Sequence, residues 1–239
     1  MVSAEQPDAL QRPQTVATGD PMPLGLVAFA LSAFAVGTIL AGWWADPGAQ
    51  LALALPVFTA FGGVTQFVAA MWSFGRGQTI GATFFGTFGA LWGAVGMYQL
   101  PAIRTAAAAV VGEGIATTAL GPFGVALACL CFVALFVAFA SLSWNMGLSA
   151  TAFALALALL CLAWAAFAQG NTLLEAIAGW AGMTSGALGF ATAAMLCIGG
   201  GASRYLQTGQ PWRWPAGGRA RRDDSPLRRG GHRHPSGSS

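Results

Sequence analysis

Charge is what this chain has least of. Only 8% of its 239 residues are Asp, Glu, Lys or Arg, whereas a domain dissolved in water carries about a quarter. Lysine is missing altogether, so every basic residue is arginine. The few charges are also confined: none stands between Asp20 and Asp46, between Asp46 and Arg76, between Arg76 and Arg104, or between Glu113 and Glu175. Stretches that long without charge exclude water as the solvent for most of the chain and leave lipid. No Asp, Glu, His, Lys or Arg falls deep inside an apolar run. That argues against a proton pump, or any carrier that relays protons through a buried titrating side chain. The apolar runs also lack a nucleophile, a metal cluster and an acid-base pair, so no enzyme, cofactor or resident metal is expected. Cys129, Cys131, Cys161 and Cys197 all lie within the runs; they read as small apolar fillers, not as an oxidised framework.

What is present is hydrophobic: 56% of the side chains. Each charge-free gap holds at least one run of roughly 20 apolar residues, enough to cross a hydrocarbon core. Backbone groups in lipid must satisfy one another, which leaves helices or a closed barrel. The Leu/Ala/Phe/Val runs lack a barrel's alternation. The expected fold is therefore an all-α membrane bundle of six transmembrane helices, at Leu24 to Trp44, Leu51 to Ser73, Ile80 to Leu100, Leu120 to Leu142, Leu148 to Gln169 and Leu173 to Ile198. The first run begins after some twenty polar residues with no basic region directly before it, which does not fit a cleavable signal peptide.

The organisation that follows is an N-terminal segment over 1–20, a membrane domain over 21–200 and an Arg-rich tail over 201–239. If the spans alternate, Arg12, Arg76 and the tail arginines share one side and Arg104 takes the other. The positive-inside rule then puts both termini in the cytoplasm, and the arginine bias with no targeting signal favours a bacterial cytoplasmic membrane. The stretch from Gln210 to Ser239 has too little apolar surface to fold alone and is expected to be disordered. Its arginines are read as setting topology and touching lipid, not as binding nucleic acid. His232 and His234 have no partner ligands nearby, so no metal site is expected there.

Small and polar residues fall in patterns. The third run carries Gly86, Gly89, Gly93 and Gly96 at steps of three, four and three, and the sixth repeats the spacing with Gly179, Gly182, Gly186 and Gly189. Such seams let helix backbones approach closely in lipid, and the match hints at two related halves of three helices, as in many transporters. Thr79, Thr83 and Thr87 share one helix face. Gln66, beside Thr65, puts a primary amide at mid-membrane, where it either bonds across to another helix or faces a wet cavity. Phe29, Phe84 and Phe88 are bulky among small neighbours; such rings narrow a pore or fill a lipid face.

The segment Asp20-Pro-Met-Pro-Leu-Gly-Leu-Val-Ala-Phe29 resembles the opening motif of the acetate uptake transporter family, of succinate-acetate permease type, usually written Asn-Pro-Ala-Pro-Leu-Gly-Leu. Within it Asp20 can cap a helix while Pro21 fixes the first turn; Pro23, Leu24 and Gly25 complete the match. Gly62-Gly63-Val-Thr-Gln66, followed by Gly77-Gln-Thr-Ile-Gly81-Ala-Thr-Phe-Phe-Gly-Thr-Phe88-Gly-Ala-Leu-Trp92, is similar to that family's Gly-Gly-x-x-Gln and Gly-Asn-Thr-Phe-Gly-x-Thr-Ala-Phe-x-Ser-Tyr-Gly-x-Phe-Trp. Ala178-Gly179-Trp180, with Gly182 and Gly186, resembles its last helix.

The resemblance implies a six-helix permease for acetate or succinate, a homo-oligomer, typically a hexamer, with a path through each protomer. It also implies a narrow hydrophobic gate of Phe29, Phe88 and a third apolar residue from the fifth helix, for which Leu160 is the choice. The chain departs from the pattern where Asp20 and Gln78 each replace Asn and where Phe88 replaces Tyr. Thr87 and Phe88 differ by about 100 degrees around a helix, so Phe84 and Phe88 are taken as the pore-facing pair. On this reading a small carboxylate meets helix N-termini and side chains near Asp20, Gln66 and Thr87, then passes the gate, with any coupled proton riding on the substrate. Two other readings stay open: a channel for ammonia or another small neutral solute, which some members of the family suggest, and a non-transporting membrane scaffold.

Overall fold

The computed structural model describes residues 19–98, 100–102, 105–106, 109, 120–168 and 171–199. The helices are α1 (Met22–Leu40), α2 (Pro47–Val57), α3 (Gln66–Gly75), α4 (Thr79–Tyr98), α5 (Leu120–Ser141), α6 (Met146–Phe167) and α7 (Thr172–Gly199). Between α2 and α3 the chain stays helical but widens into π turns over Phe58–Thr65, so that α2, this segment and α3 form one continuous span. Among the described residues, six spans are long and apolar enough to cross a membrane: Met22–Leu40, Ala49–Gly75, Thr79–Met97, Gly121–Ser141, Met146–Phe167 and Thr172–Ile198. The protein is an all-helical, multi-pass membrane protein. Residues 1–18 and the Arg-rich tail lie outside the described residues, as does Arg104.

Local chemistry sets where the spans begin and end. Asp46 accepts from the Ala49 amide at 3.0 Å ahead of Pro47. Asn145, itself buried, accepts from Leu148 N at 3.0 Å, and Asn171 accepts from Leu173 N and Leu174 N at 3.1 and 3.2 Å. Each supplies an acceptor to amides that the first helical turn leaves open. The first span stops at Leu40, short of the apolar run that reaches Trp44. Gly42 turns the chain at φ +77, a conformation that costs a side-chain-bearing residue dearly. Trp43 and Trp44 then project outward, with Trp44 Nε1 donating to Thr38 Oγ1 at 3.0 Å.

One end of the bundle, the near end, holds Asp20, the turn at Arg76 to Gln78 and the turn before Asn145. Gln78 Nε2 donates to Asp20 Oδ1 at 3.2 Å there, and the same oxygen accepts from Met22 N at 3.1 Å. The far end holds the turn from Ala41 to Asp46 and the start of α7.

Helix α1 is the axis of the packing: it lies along α7 on one side and against α3, the π segment and α4 on the other, while α5, α6 and α7 pack in series. Glycine makes the α1–α7 contact possible. A Cβ at Gly186 would stand 2.8 Å from Phe34 N and 2.9 Å from Ala30 O, and one at Gly37 would stand 2.7 Å from Gly179 O. The α4 seam faces elsewhere, since a Cβ at Gly89 would lie 3.1 Å from Phe67 N and 3.2 Å from Gly63 O. The two glycine rows share their spacing but not their partner: the third span presses on the second and the sixth presses on the first. Cross-helix hydroxyl bonds tie the second half of the bundle, Ser149 Oγ to Ala138 O at 2.7 Å and Ser185 Oγ to Thr151 O at 2.8 Å.

Candidate functional site

Phe84 and Phe88, four residues apart, share the face of α4 that meets α1, and Phe29 of α1 comes between them. The ring centroids of Phe29 and Phe84 lie 5.0 Å apart, those of Phe84 and Phe88 5.0 Å, and those of Phe29 and Phe88 6.4 Å, with interplanar angles of 57 to 62°. These are the tilted and edge-to-face arrangements aromatic rings prefer. All three rings are buried to 2% exposure or less. Phe85 backs the cluster at 5.6 Å from Phe84. It fits only because Gly25 has no side chain, since a Cβ there would stand 2.5 Å from the Phe85 ring. In the opening motif Pro21 is also buried, Pro23 is partly buried, and Leu24 turns outward.

On the far side of the rings lies an apolar cavity of about 150 Å³, floored by Phe29 and Phe88 and walled by Val36, Leu91, Leu155 and Leu159 among others. Its lining contains no charged side chain. Apolar cavities of about this size stay dry and admit a benzene-sized guest, so a small organic acid or neutral solute fits. On the near side a depression of about 380 Å³ is bordered by Gly77, Gln78, Thr79 and Trp144. Reading along α4, the order is near depression at 77–81, rings at 84 and 88, cavity at 88–95. Along α4 the aromatic cluster stands between the two spaces.

Gln66 sits at the level of this cluster, where α3 crosses α4 beside Gly89. It is fully buried, and neither Nε2 nor Oε1 has a hydrogen-bond partner among the described residues. An unmet polar group of this kind costs about 1–3 kcal/mol. The residue comes directly after the π segment, and wide helical turns of this sort recur at functional sites. Its neighbour Thr65 bonds locally to Ala60 O at 3.0 Å. Thr87 is partly buried beside Phe88 and does not line the cavity.

One expected residue is misplaced by the sequence reading. Leu160 points outward at 51% exposure, whereas Leu155, Ala158, Leu159 and Leu162 form the wall that α6 gives to the cavity. A step of one residue turns a helix by about 100 degrees, and α6 is apolar on all sides, so hydrophobicity alone could not choose between Leu159 and Leu160. The spacing of Ala152, Ala156 and Ala163, all buried, was the available signal, since small residues mark the packed face. Among the described residues no group of three or more His, Cys, Asp or Glu could hold a metal ion.

Comparison with known proteins places this geometry in a family. A glyoxylate pathway regulator of Yarrowia lipolytica is 41% identical over 76 residues, covering 31% of this chain and 27% of that protein. Acetate permease A of Emericella nidulans is 36% identical over 99 residues, covering 39% of this chain and 32% of that protein. The chain thus aligns with less than a third of the length of these two fungal relatives. Among solved structures, that of the bacterial acetate channel SatP superposes with a TM-score of 0.67 at 25% identity, covering 80% of this chain and 99% of that one. A model of the GPR1/FUN34/yaaH family matches residues 2–205, and the chain belongs to that family.

Proposed function

We propose that this protein is a membrane channel or transporter for acetate and similar small carboxylates, succinate included, with the Phe29, Phe84 and Phe88 rings as its gate. The observation that carries the reading is the closed ring cluster between a near depression and a far apolar cavity, in a chain that superposes on an acetate channel along nearly all of that channel's length. Leu155 and Leu159 take the place in the wall that the resemblance assigned to the fifth helix. Both termini face the cytoplasm, and the assembly is a hexamer by resemblance, with one path in each protomer.

The chemistry follows from the lining. A carboxylate anion in the far cavity would lose its hydration and gain no charged partner, a cost that favours the neutral acid. At neutral pH only roughly one acetate in a thousand holds a proton, so the proton travels on the substrate and the protein supplies no buried relay. Gln66 is the polar group that would meet the carboxyl as the rings part, because it is buried beside Gly89, next along α4 from Phe88, with both ends of its amide unpartnered among the described residues. Gln66→Leu should therefore raise thermal stability, by relieving about 1–3 kcal/mol of unmet polarity, while lowering acetate flux about tenfold. A variant that gains stability at full flux would remove Gln66 from the path.

The test of the function is uptake of labelled acetate by liposomes holding the purified protein, with and without an inward proton gradient, corrected for empty liposomes. Saturable uptake, competed by propionate or succinate and faster with the gradient, is expected. The uncharged cavity also suits ammonia. Inhibition by ammonium with none by propionate would move the assignment there, and no uptake above the empty control would leave the scaffold reading.

A further inference from the structure

The far cavity is more apolar than the passage of acetic acid requires. Among the described residues its lining comes from α1, α4, α5, α6 and α7 and is Gly, Ala, Val, Leu, Phe or Trp throughout. The indole of Trp92 carries the one side-chain N–H in that set, and its ring packs on Phe58 with 5.3 Å between centroids. The floor is equally bare. Phe29 and Phe88 are buried there, and Phe88 stands where the resemblance has Tyr, so no hydroxyl reaches the space from that position.

Size and chemistry together say what such a space holds. Its volume of about 150 Å³ takes an apolar guest of benzene size, whereas the methyl group of acetate is a single carbon. A carboxyl needs polar company, which the lining does not offer. The buried amide of Gln66, beside Gly89 and so one residue along α4 from Phe88, stands at the level of the floor. An acid with its head at the floor leaves its tail among Val36, Leu91, Leu155 and Leu159. Each methylene buried there strengthens binding about fourfold. A hydroxyl or a second carboxyl at the far end of the tail loses its water and gains no partner, which weakens binding about tenfold or more.

We infer that the far cavity is an alkyl-binding subsite: this protein takes propionic and butyric acids more tightly than acetic acid and disfavours acids with a polar far end, succinate among them. The inference rests on the carboxylate reading above and ranks the substrates which that reading groups together.

The experiment uses the purified protein in detergent and reads the rise in melting temperature against acid concentration, at one pH and one ionic strength. A ligand stabilises the state that binds it by mass action. The series is acetate, propionate, butyrate, 4-hydroxybutyrate and succinate. The concentration giving an equal rise should fall about fourfold at each step from acetate to butyrate, and 4-hydroxybutyrate and succinate should need at least about tenfold more than butyrate. Val36→Phe and Ala158→Leu fill the cavity from α1 and from α6; each should flatten the acetate-to-butyrate series, so that if one misfolds the other decides. A packing role alone would shift the melting temperature without acid and leave the series as steep as in the wild type. Competition with labelled acetate uptake by proteoliposomes, with each competitor equal on both sides of the membrane, should give the same ranking. In a protein that takes up labelled acetate, equal affinities from acetate to butyrate, succinate as tight as butyrate, or a series still steep in both variants would overturn this inference alone. No uptake above empty liposomes would overturn the carboxylate reading and this inference with it.

Discussion

Replacing Gly179 by leucine is expected to destabilise the protein strongly, lowering its melting temperature by roughly 10 °C. Gly179 lies against the last turn of α1, where a Cβ would collide with the amide nitrogen of Ala41 and stand 2.7 Å from Gly37 O and 2.8 Å from Leu40 C. Those atoms are backbone, so no rotamer change can make room, and the two helices would have to separate along their most extensive contact. Overpacking a core usually costs 1–3 kcal/mol and sometimes more; four added heavy atoms against main chain belong at the upper end. In a chain of this size about 3 kcal/mol lowers the melting temperature by roughly 10 °C. Size-exclusion profile and thermal unfolding in detergent are the readouts. The control is on the same helix: Gly182→Ala places its methyl 3.5 Å from Ala33 O, an ordinary contact, and should melt within about 2 °C of the wild type. If Gly179→Leu were as stable as that control, α7 would not lie on α1 as described.

Phe88→Ala should raise acetate flux per folded molecule about tenfold, even though it weakens the fold. The ring separates the near depression from the far cavity and keeps 2% exposure. Its loss extends the far cavity as far as Phe84 and thins the closure between the two spaces, and lowering the barrier by about 1.4 kcal/mol is already a factor of ten in rate. The same truncation removes a buried aromatic, which costs about 3–5 kcal/mol in a core, so lower thermal stability is expected alongside. The two effects separate on normalisation: uptake divided by the amount of monodisperse protein isolates the gate from the yield. Phe84→Ala carries the same packing loss and, if the rings gate together, the same gain in flux. Phe88→Tyr restores the hydroxyl that relatives carry at this position by resemblance; it should keep both fold and closed gate. Truncation that lowers stability and leaves normalised flux untouched would make the cluster ordinary core.

Much of this was legible because lipid makes the code coarse. A run of about twenty uncharged residues has few options in a bilayer, so six spans and their order follow from where Asp20, Asp46, Arg76, Arg104, Glu113 and Glu175 stand. The step-four spacing of Phe84 and Phe88 put both on one face before any coordinates, and the glycine rows marked faces of close approach.

What the sequence could not decide is which way an apolar side chain turns when lipid and core are both apolar. In water the polar face of a helix betrays its outside; α5, α6 and α7 here have no such face, which is why Leu160 stood in for Leu155 and Leu159. The glycine rows showed the same ambiguity, since spacing says that a backbone comes close but not whose: only tertiary structure gave α1 to the sixth span and the π segment to the third. It alone exposed Gln66 as buried with no hydrogen-bond partner among the described residues. Covalent order and bilayer thickness determined the spans, because both act on one helix at a time; the site is a property of helices meeting, and only the packed structure decided it.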